Sequence, residues 1–527
     1  MEQLYTVEQV RNAERPLLDA EAEPDELMRE AAAAVAATAR DMLTDLAGEH
    51  AGRVVLLVGS GGNGGDALYA GARLQLDGHR VTAVLLGSHP HERALRALRD
   101  AGGVILDPAD PGRDSGRDTD RSPALQADLA VDGVTGIGGR PGLRPDAAAV
   151  VADLEANRVP VLSVDVPSGI AADTGERLGA DPDTGAPRHV TATVTVTFGG
   201  LRRVHALTPA CGEVLLADIG LGGRMLSGIL AEQPIADDEF FTRAIDRPGF
   251  RWSASNPARP VAAHRLLEAV EPGAGDDKYT GGVTGVAAGS ATYPGAGVLA
   301  TEGALRATSA MVRYAGGCRE EVVRAHPEVV ASDTVGAAGR VQSWVVGPGR
   351  GTGAQARAEL AELLARPEPL VIDADALTVL AGDDALRRDV VKHGNCLLTP
   401  HAGEFARIGG ETGPDRITAA RALARELNAT VLLKGRLTVV ASAELATVVD
   451  SGHSWAATPG SGDVLSGLCG AWLARGGQVH AAAVTAAALH ARAAWLAAQT
   501  PYGPAPIVAS DIAAALPWAT AEMEHAH

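Results

Sequence analysis

The feature that most constrains the fold is a short apolar run followed by a glycine or polar loop and then by a helical pattern, which recurs along the 527 residues. In the first half, Arg53–Val58 leads into the glycine-rich residues 59–66, and Val161–Val164 leads into residues 165–169. In the second half, such runs end near residues 288, 346, 372, 398 and 433. Strands that alternate with helices form parallel sheets, which bind ligands at the carboxyl ends of their strands. The pattern therefore predicts an α/β protein.

The chain is long enough to form more than one hydrophobic core, and the alternation of apolar runs and helical segments becomes weak once, near the middle of the chain. We therefore predict a first domain over residues 1–223, a linker with irregular entry into the second domain over 224–260, and a second domain over 261–527. Residues 107–123 are polar and rich in proline and glycine, which is typical of a surface loop or a disordered insertion. Residues 190–198 alternate threonine and valine, which predicts an edge strand.

Charge and cysteine content argue against several classes of partner. The formal net charge is −19, so we expect neither nucleic acid nor an anionic membrane as a partner. The four cysteines are far apart and lack a C-x-x-C spacing, which predicts neither a zinc site nor a disulfide framework. No segment resembles an export signal or a membrane span, and we expect a cytoplasmic protein. Any phosphate-bearing ligand must then be held by local motifs.

Residues 458–467 combine a glycine-rich turn with the start of an apolar, helix-like run. Glycines let the backbone approach a ligand closely, and the amides and positive dipole end of a helix favour a phosphate. Asp463 is unusual there, because a carboxylate repels a polyphosphate. It either accepts a proton from a hydroxyl that meets the phosphate, or it only stabilises the start of the helix.

In the first half, three successive predicted strands each end in a loop that carries a carboxylate, namely Asp66, Asp132 and Asp165. Each of these residues alone is typical of a turn, but corresponding strand ends converge on one pocket. Asn63, Asp132 and Ser168, together with loop carbonyls, form an all-oxygen set that suits a hard cation without redox activity.

Taken in order, these motifs resemble those of the bifunctional enzymes that repair hydrated nicotinamide nucleotides. In that family an NAD(P)H-hydrate epimerase domain precedes an ADP- or ATP-dependent NAD(P)H-hydrate dehydratase domain. The resemblance covers nearly the whole chain, except residues 107–123 and 224–260. It implies a Rossmann-like three-layer αβα domain in the first half and a ribokinase-like α/β domain in the second half.

In the first half the resemblance is carried by residues 62–66, Asp132, residues 136–142 and residues 165–169. It implies that Asn63, Asp132 and Ser168 hold K⁺. It also implies that the hydrated nucleotide contacts Asp165 and two loops, which consist of Gly62, Asn63, Gly64, Gly65 and Asp66, and of Gly136, Ile137, Gly138, Gly139, Arg140, Pro141 and Gly142. Asp165 ends a buried strand near both loops and is our candidate for proton transfer during epimerisation. The family usually has Asn and Gly where this chain has Gly62 and Ala67.

In the second half the resemblance is carried by residues 278–282, 293–296, 347–349, 399–404, 434–438 and 458–467. It implies that the hydrated nucleotide contacts Ala296, Gly349, His401 and Asp463. It implies that the adenine nucleotide contacts Lys434, Gly435, Arg436, Leu437, Thr438 and Gly462. His401 could instead be a structural hydrogen-bonding histidine. Arg350 replaces the usual Leu after Gly-Pro-Gly, and its guanidinium is expected either to contact a phosphate or to point to solvent.

The residues of the second half support a dehydration that proceeds through phosphorylation. A ring hydroxyl is a poor leaving group, and transfer of a phosphoryl group makes it a good one. Asp463 would deprotonate the hydroxyl, the amides of residues 460–462 would hold the phosphoryl group, and Mg²⁺ would neutralise charge. We therefore predict an enzyme that interconverts the R and S hydrates of NADH and NADPH and dehydrates the S form at the expense of ADP or ATP.

Two other functions fit part of these motifs. A ribokinase-like kinase for a small molecule such as a vitamin precursor, fused to a nucleotide-binding domain, would release a stable phosphorylated product. The first half could also be a binding or scaffolding module without turnover, for which Gly62 is the hint. The presence of Asp132, Asp165 and Ser168 argues against this second alternative. The expected partners are small-molecule substrates and further copies of the chain in a homo-oligomer.

Overall fold

The computed structural model describes residues 1–48, 50–108, 127–234, 238–245, 249–265, 267 and 270–524. The chain forms two compact units. The first unit contains Glu2–Ala236 and Arg247–Val261, and the second contains Asp237–Asp246 and Ala262–His527. The loop predicted over residues 107–123 lies outside the described residues from position 109 onward.

The first unit follows the predicted alternation of strands and helices. Its helices are α1 (Val7–Leu18), α2 (Glu26–Ala47), α3 (Gly62–Leu76), α4 (Glu92–Asp100), α5 (Pro145–Ala156), α6 (Arg203–Leu207) and α7 (Leu226–Ala231). Its strands up to residue 225 are β1 (Glu2–Tyr5), β2 (Arg53–Val58), β3 (Arg80–Leu85), β4 (Val104–Leu106), β5 (Leu129–Gly133), β6 (Val161–Val164), β7 (Val194–Phe198), β8 (Leu201–Arg202), β9 (Glu213–Ala217), β10 (Gly220–Leu221) and β11 (Arg224–Met225). The main sheet has the order β9-β7-β6-β5-β2-β3-β4, and these neighbours are parallel.

Strand β7 lies inside this sheet and not at its edge, where the alternation of threonine and valine had placed it. It pairs with β6 on one side and with β9 on the other, and all its residues are buried. The threonines tolerate burial because their hydroxyls find acceptors. Thr195 Oγ1 donates to the carbonyl of Cys211, and Thr197 Oγ1 donates to Asp165 Oδ1, each at 2.7 Å.

The segment predicted to be a linker is folded into both units. Helix α7 contributes buried leucine and isoleucine side chains to the core of the first unit. The next strand, β12 (Asp238–Arg243), pairs in parallel with the later strand Leu445–Asp450 of the second unit. The chain then returns to the first unit, where β13 (Ala258–Pro260) pairs antiparallel with β9. The boundaries at 223 and 260 therefore differ from those of the structure, because elements this short carry little periodic pattern.

The second unit is another open α/β sheet. Its later strands are β14 (Thr284–Ala287), β15 (Val312–Ala315), β16 (Val330–Ser332), β17 (Ser343–Val346), β18 (Leu370–Ile372), β19 (Cys396–Leu398), β20 (Thr430–Leu433), β21 (Leu437–Ala441), β22 (Leu445–Asp450), β23 (Gln499–Thr500) and β24 (Gly503–Pro504). Its helices are α8 (Pro294–Leu305), α9 (Arg319–Ala325), α10 (Ala354–Leu364), α11 (Asp375–Ala381), α12 (Asp384–His393), α13 (Ala402–Arg407), α14 (Arg416–Leu427), α15 (Ser461–Ala474), α16 (Val479–Ala498) and α17 (Ala509–Glu524). The order β16-β15-β14-β17-β18-β19-β20 is parallel, and β21 runs antiparallel to both β20 and β22.

The core of the second unit includes helices that are apolar over most of their surface. Helix α15 is buried along nearly its whole length, and α16 packs beside it. Within the described part of the chain, α16 alone is long and apolar enough to cross a membrane, and 72% of its apolar window is buried inside the protein. A buried helix that is apolar all round is typical of the core of a large protein. The prediction of a two-domain α/β protein is confirmed.

Candidate active sites

The glycine-rich turn of residues 458–467 places two predicted site residues in the first turn of a buried helix. Helix α15 begins at Ser461, and Gly462 and Asp463 follow immediately. Gly460, the N-cap, has φ of +84°, and a Cβ at this position would lie 2.6 Å from Leu299 Cδ1. Only glycine adopts this positive φ and avoids the contact with Leu299 without strain. The free amides and positive end of α15 are thereby kept open to a ligand.

Lys434 brings a positive charge to this helix start. It follows β20, and its Nζ donates to Asp373 Oδ1 at 2.9 Å and lies 3.7 Å from Glu404 Oε2. A Cβ on Gly462 would lie 3.4 Å from the same Nζ, so the ammonium stands directly over the first turn. An anion held by the amides of α15 would therefore also meet this ammonium.

Asp463 has the electrostatic setting of a general base. Burial, which is the largest cause, and the charge of Asp373 raise the pKa of its carboxyl to about 7. Lys434 acts in the opposite direction, and Asp375 and Glu404 add smaller upward contributions. A base whose pKa lies near the working pH is partly deprotonated and still basic enough to accept a proton.

A cavity of about 470 Å³ opens beside the start of α15. Of the predicted residues, its lining includes His401, Lys434, Gly435, Arg436, Thr438 and Gly462. Leu437 is buried in β21 and contributes its carbonyl, which accepts a hydrogen bond from Arg416. Asp463, Ala296 and Gly349 are not part of this lining. Ala296 and Gly349 pack against each other, since a Cβ on Gly349 would lie 2.8 Å from Ala296 Cβ.

His401 is both a helix cap and an exposed group. Its Nδ1 accepts a hydrogen bond from the amide of Gly403 at 3.0 Å, and Glu404 Oε2 accepts one from the His401 amide at 2.9 Å. These two bonds form a capping box at the start of α13. The side chain is nevertheless 59% exposed and lines the cavity. The structural role is therefore present, and Nε2 of the same ring lies 3.5 Å from Glu404 Oε1.

Arg350 does not point to solvent. Its side chain is 11% exposed, its Nη1 donates to the carbonyl of Gly289 at 3.2 Å, and its Nη2 pairs with Glu359 on α10. The loop after β14 is also held by a bond from the amide of Gly289 to the carbonyl of Pro348. Arg350 thus fixes the loop that precedes Ala296.

The first unit has a cavity of about 790 Å³ at the carboxyl ends of its central strands. Of the predicted residues, its lining includes Gly62, Asn63, Asp66, Gly136, Ile137, Gly138, Gly139, Arg140, Gly142 and Asp165. Gly64, Gly65 and Pro141 are not part of it. A Cβ on Gly64 would lie 2.3 Å from the carbonyl oxygen of Gly59, and one on Gly65 would lie 2.5 Å from Met28 Sδ. These two glycines therefore serve close packing behind the loop.

Asp165 is fixed by several groups at the edge of this cavity. Its φ is +64°, which is uncommon for a residue with a side chain. Oδ1 accepts a hydrogen bond from Thr197 Oγ1 at 2.7 Å and lies 3.2 Å from Nη2 of the buried Arg202. The carbonyl of Asp165 is 2.9 Å from His205 Nε2. This carboxylate is held in one orientation.

Asp66 differs from Asp165 in its electrostatic setting. Burial raises its pKa well above the ordinary range of an aspartate, and the charges of Asp165 and Glu14 raise it further. Glu14 from α1 also lines the cavity. The cavity therefore combines a carboxyl whose pKa is raised by burial with a carboxylate paired to an arginine, which is an arrangement suited to acid–base chemistry.

The predicted cation ligands converge behind the cavity. Ser168 Oγ donates to Asp132 Oδ1 at 2.6 Å and lies 3.2 Å from the carbonyl oxygen of Thr135. Asn63 Nδ2 donates to the carbonyls of Val164 at 2.5 Å and of Thr135 at 3.5 Å. Burial raises the pKa of Asp132, and the hydrogen bonds from Ser168, Val134 and Ser163 oppose this shift. A buried carboxylate whose donors in the described chain are hydroxyls and amides fits a cation bound by oxygen.

The two departures from the family pattern have different surroundings. A Cβ on Gly62 would meet nothing within 4 Å, so the position has room for the larger side chain. Ala67 is buried, and a Cβ on Gly133 would lie 2.7 Å from its methyl group. The methyl group at 67 is thus accommodated because residue 133 is glycine.

Sequence reasoning missed Asp373 and Arg202. Asp373 follows β18 in an Asp-Ala-Asp sequence, and this strand-end position is the signal that singled out Asp165. Arg202 lies 3.2 Å from Asp165 after a separation along the chain that no local pattern spans. His490 was also missed. Its Nε2 lies 3.0 Å from the carbonyl of Ser461, and burial lowers its pKa to about 4.

Comparison with known proteins assigns a family to both halves. Residues 24–204 match the family described as YjeF-related protein N-terminus, and residues 284–517 match the family described as NAD(P)H-hydrate dehydratase. The chain is 43% identical to the bifunctional NAD(P)H-hydrate repair enzyme Nnr of Corynebacterium glutamicum, over 99% of both chains. It is 44% identical to the enzyme of the same name from Mycobacterium leprae, over 97% of both chains.

A solved structure is similar to part of the chain. It is the ADP/ATP-dependent NAD(P)H-hydrate dehydratase of Bacillus subtilis, with 23% identity and a TM-score of 0.41, and the match covers 49% of this chain and 95% of that one. The full-length relatives and the two family matches together decide the assignment. The chain belongs to the family of bifunctional NAD(P)H-hydrate repair enzymes, which combine an epimerase and a dehydratase.

Proposed function

We propose that the second unit dehydrates the S hydrate of NADH or NADPH by phosphorylating its ring hydroxyl, with Asp463 as the general base. The observation that carries this proposal is the position of Asp463 in the first turn of α15, beside the Lys434 ammonium and with a pKa of about 7. The adjoining cavity provides space for the adenine nucleotide at Lys434, Gly435, Arg436 and Gly462. Leu437 and Thr438 complete the proposed segment.

In the proposed reaction, the Asp463 carboxylate accepts the proton of the ring hydroxyl. The hydroxyl oxygen bonds to the terminal phosphorus of ADP or ATP, and the bond from this phosphorus to the bridging oxygen breaks, which releases AMP or ADP. The amides of the first turn of α15 and the Lys434 ammonium stabilise the charge on the transferring group. Phosphate then leaves with the electrons of its bond to carbon, the neighbouring carbon loses a proton, and the dihydropyridine is restored.

Mg²⁺ is proposed to reach this site with the phosphates of the nucleotide, whose charge it neutralises when bound. Within the described residues, no group of three or more His, Cys, Asp or Glu side chains forms a metal cage. Mg²⁺ usually retains several waters and is bound through one or two carboxylates together with substrate phosphates. Ala296, Gly349 and His401 are proposed to contact the hydrated nucleotide on the other side of the transferring group.

We further propose that the cavity of the first unit interconverts the R and S hydrates. Asp165 is the proposed proton-transferring group, and the start of α3 at residues 62–66 and the loop of residues 136–142 bind the nucleotide. Asn63, Asp132 and Ser168 would hold K⁺, which would supply a positive charge behind the nucleotide loops. The buried Asp132 carboxylate and the oxygen-rich surroundings support this assignment.

The test of the dehydratase proposal is Asp463→Asn in the full-length protein. Recovery of NADH absorbance from S hydrate with ADP or ATP should fall by roughly 10²- to 10⁴-fold, because a general base is lost. Nucleotide binding, measured by calorimetry, should be largely kept. Asp389→Asn makes the same chemical change on the exposed face of α12 and should behave like the parent. Parent-like turnover of Asp463→Asn, or a stable phosphorylated product from the parent, would contradict the proposal.

The cation proposal is tested by Asp132→Ala, with epimerisation followed as a function of K⁺ concentration. Loss of the buried carboxylate should slow the reaction and abolish its response to K⁺, because the ion loses its charged ligand. Asp183→Ala removes an exposed carboxylate of the same unit and should keep the response. If Asp132→Ala epimerises as fast as the parent at every K⁺ concentration, this role is refuted.

A cytoplasmic location and a homo-oligomeric state are proposed as well. The location is supported by the four cysteines, which are all buried and are thiols and not disulfides, as expected in a reducing compartment. Light scattering coupled to size-exclusion chromatography measures the oligomeric state directly.

A further inference from the structure

One buried carboxylate connects two parts of the site that binds the transferring phosphoryl group. Asp373 follows β18 and is almost completely buried. Its Oδ1 accepts a hydrogen bond from Lys434 Nζ at 2.9 Å, and its Oδ2 accepts one from Ser466 Oγ at 2.5 Å. Ser466 lies one turn beyond Gly462 in α15, whereas Lys434 follows β20. Asp373 therefore links the cation to the helix over which it stands.

The Lys434 ammonium has several carboxylates within its electrostatic reach. Asp373 after β18, Asp375 at the start of α11, Glu404 on α13 and Asp463 on α15 all act on this part of the site. Of these, Asp373 is the one to which Lys434 donates a hydrogen bond, and Glu404 Oε2 is farther away at 3.7 Å. The choice of partner matters, because an ammonium paired with Asp463 would make that carboxylate a weaker base.

We infer that Asp373 is a positioning residue that holds the Lys434 ammonium over the first turn of α15 and prevents it from forming an ion pair with Asp463. This inference rests on the proposed function, in which Asp463 is the base. The two charges of the site then have separate tasks. Lys434 serves the phosphoryl group, and Asp463 remains free to accept the proton of the hydroxyl.

Replacement of Asp373 by Asn has two effects of the same sign. A buried ammonium that loses its partner moves toward the nearest remaining carboxylates, which include Asp463. The negative charge of Asp373, which raises the pKa of Asp463, is lost at the same time. Both changes lower the pKa of Asp463, so the base becomes deprotonated at lower pH.

The experiment measures kcat/KM of the full-length protein for the S hydrate as a function of pH. In the parent, activity should rise with pH through a midpoint near 7, where Asp463 loses its proton. In Asp373→Asn the midpoint should move down by about one pH unit or more, and KM for ADP or ATP should rise. Asp389→Asn, an exposed change of the same kind on α12, should leave both quantities unchanged. A fall in kcat with an unmoved midpoint would mean a merely structural role and would overturn the inference.

A second variant keeps the inference testable if Asp373→Asn does not fold. Lys434 lowers the pKa of Asp463, so Lys434→Met should move the same midpoint to higher pH. An unmoved midpoint in Lys434→Met would overturn the inference too. Parent-like turnover of Asp463→Asn would refute the proposed function itself. An inactive Asp463→Asn together with an unmoved midpoint in Asp373→Asn would refute only the role of Asp373.

Discussion

Arg350 departs from the family pattern, and its neighbours provide a hydrogen-bond acceptor and a counter-charge for its guanidinium. The resemblance described above implies a leucine at this position. Here the guanidinium is buried, donates to the carbonyl of Gly289 and pairs with Glu359, which is 10% exposed. Glu359 on α10 thus supplies the counter-charge of Arg350, and the two residues act as an ion pair.

We predict that Arg350→Leu destabilises the protein and that a second substitution restores it. The single variant leaves the Glu359 carboxylate buried without its cation, which should lower the free energy of unfolding by about 3–5 kcal/mol. The double variant Arg350→Leu with Glu359→Leu replaces the whole pair by apolar groups and should recover most of this loss. Urea unfolding of the three proteins measures both values. Equal stability of the single and double variants would show that the pair is not coupled.

At the scale of a single element, α15 has a left-handed glycine at each end. Gly460 precedes the helix with φ of +84°, and Gly476 follows it with φ of +91°. The surroundings differ. A Cβ on Gly460 would lie 2.6 Å from Leu299 Cδ1 and 3.2 Å from Ala509 Cβ, whereas one on Gly476 would meet nothing within 4 Å. Substitutions at the two ends therefore distinguish the cost of backbone strain, which both share, from an effect on the site at the start of the helix.

We predict that Gly460→Ala and Gly476→Ala share a loss of stability but not a loss of function. Each places a side chain in the left-handed region, which costs roughly 1–2 kcal/mol. Gly460→Ala also pushes the first turn of α15 away from α8, so KM for ADP or ATP should rise severalfold. Thermal unfolding and steady-state kinetics measure the two effects. If Gly476→Ala raises KM as much as Gly460→Ala does, distortion of the first turn is not the cause.

The strands that lead into the cavity of the first unit were predictable, because β2 and β6 are continuous apolar runs that end in glycine-containing segments. Helix α3 begins at Gly62, five residues earlier than its apolar pattern, since glycines hide the helical period. The path of residues 224–260 was not predictable, because β13 has three residues and its partner β9 is distant in sequence.

Within the candidate site, Asp463 could be singled out from its own motif. The hydrogen bond from Lys434 to Asp373 could not be predicted, because it depends on two strands meeting in the sheet.

At the scale of the whole molecule, both activities act on one substrate pool. In the proposed mechanism, phosphoryl transfer needs the hydroxyl in line with a phosphate bound at α15, so only one epimer should fit the dehydratase cavity. Hydrate that forms spontaneously is a mixture of epimers, and a dehydratase alone would leave the other epimer behind. The epimerase of the same chain converts the epimer that is left behind into the one that the dehydratase can use.

We predict that Asp165→Asn converts a single fast reaction into two phases. The full-length variant should consume the S epimer quickly and then slow to the rate of uncatalysed epimerisation, whereas the parent consumes the whole mixture quickly. Asparagine tolerates the φ of +64° at this position and can still accept the bond from Thr197, but it leaves the buried Arg202 guanidinium without its carboxylate, so thermal unfolding of the variant is the control for folding. NADH absorbance followed from a mixed hydrate measures the phases. A single fast phase would show that the carboxylate is not needed for epimerisation.

The path of residues 238–260 has a consequence for how the protein is made. During synthesis, β9 keeps an open edge until Ala258–Pro260 has left the ribosome, and by then the chain has already produced β12, whose partner β22 comes much later. The first unit therefore cannot be completed before a strand of the second unit exists, and the pairing of that strand with β22 has to wait. Unpaired strand edges invite association between chains. A single cut before β12 therefore removes β13 from the first unit, and a single cut after β13 removes β12 from the second unit.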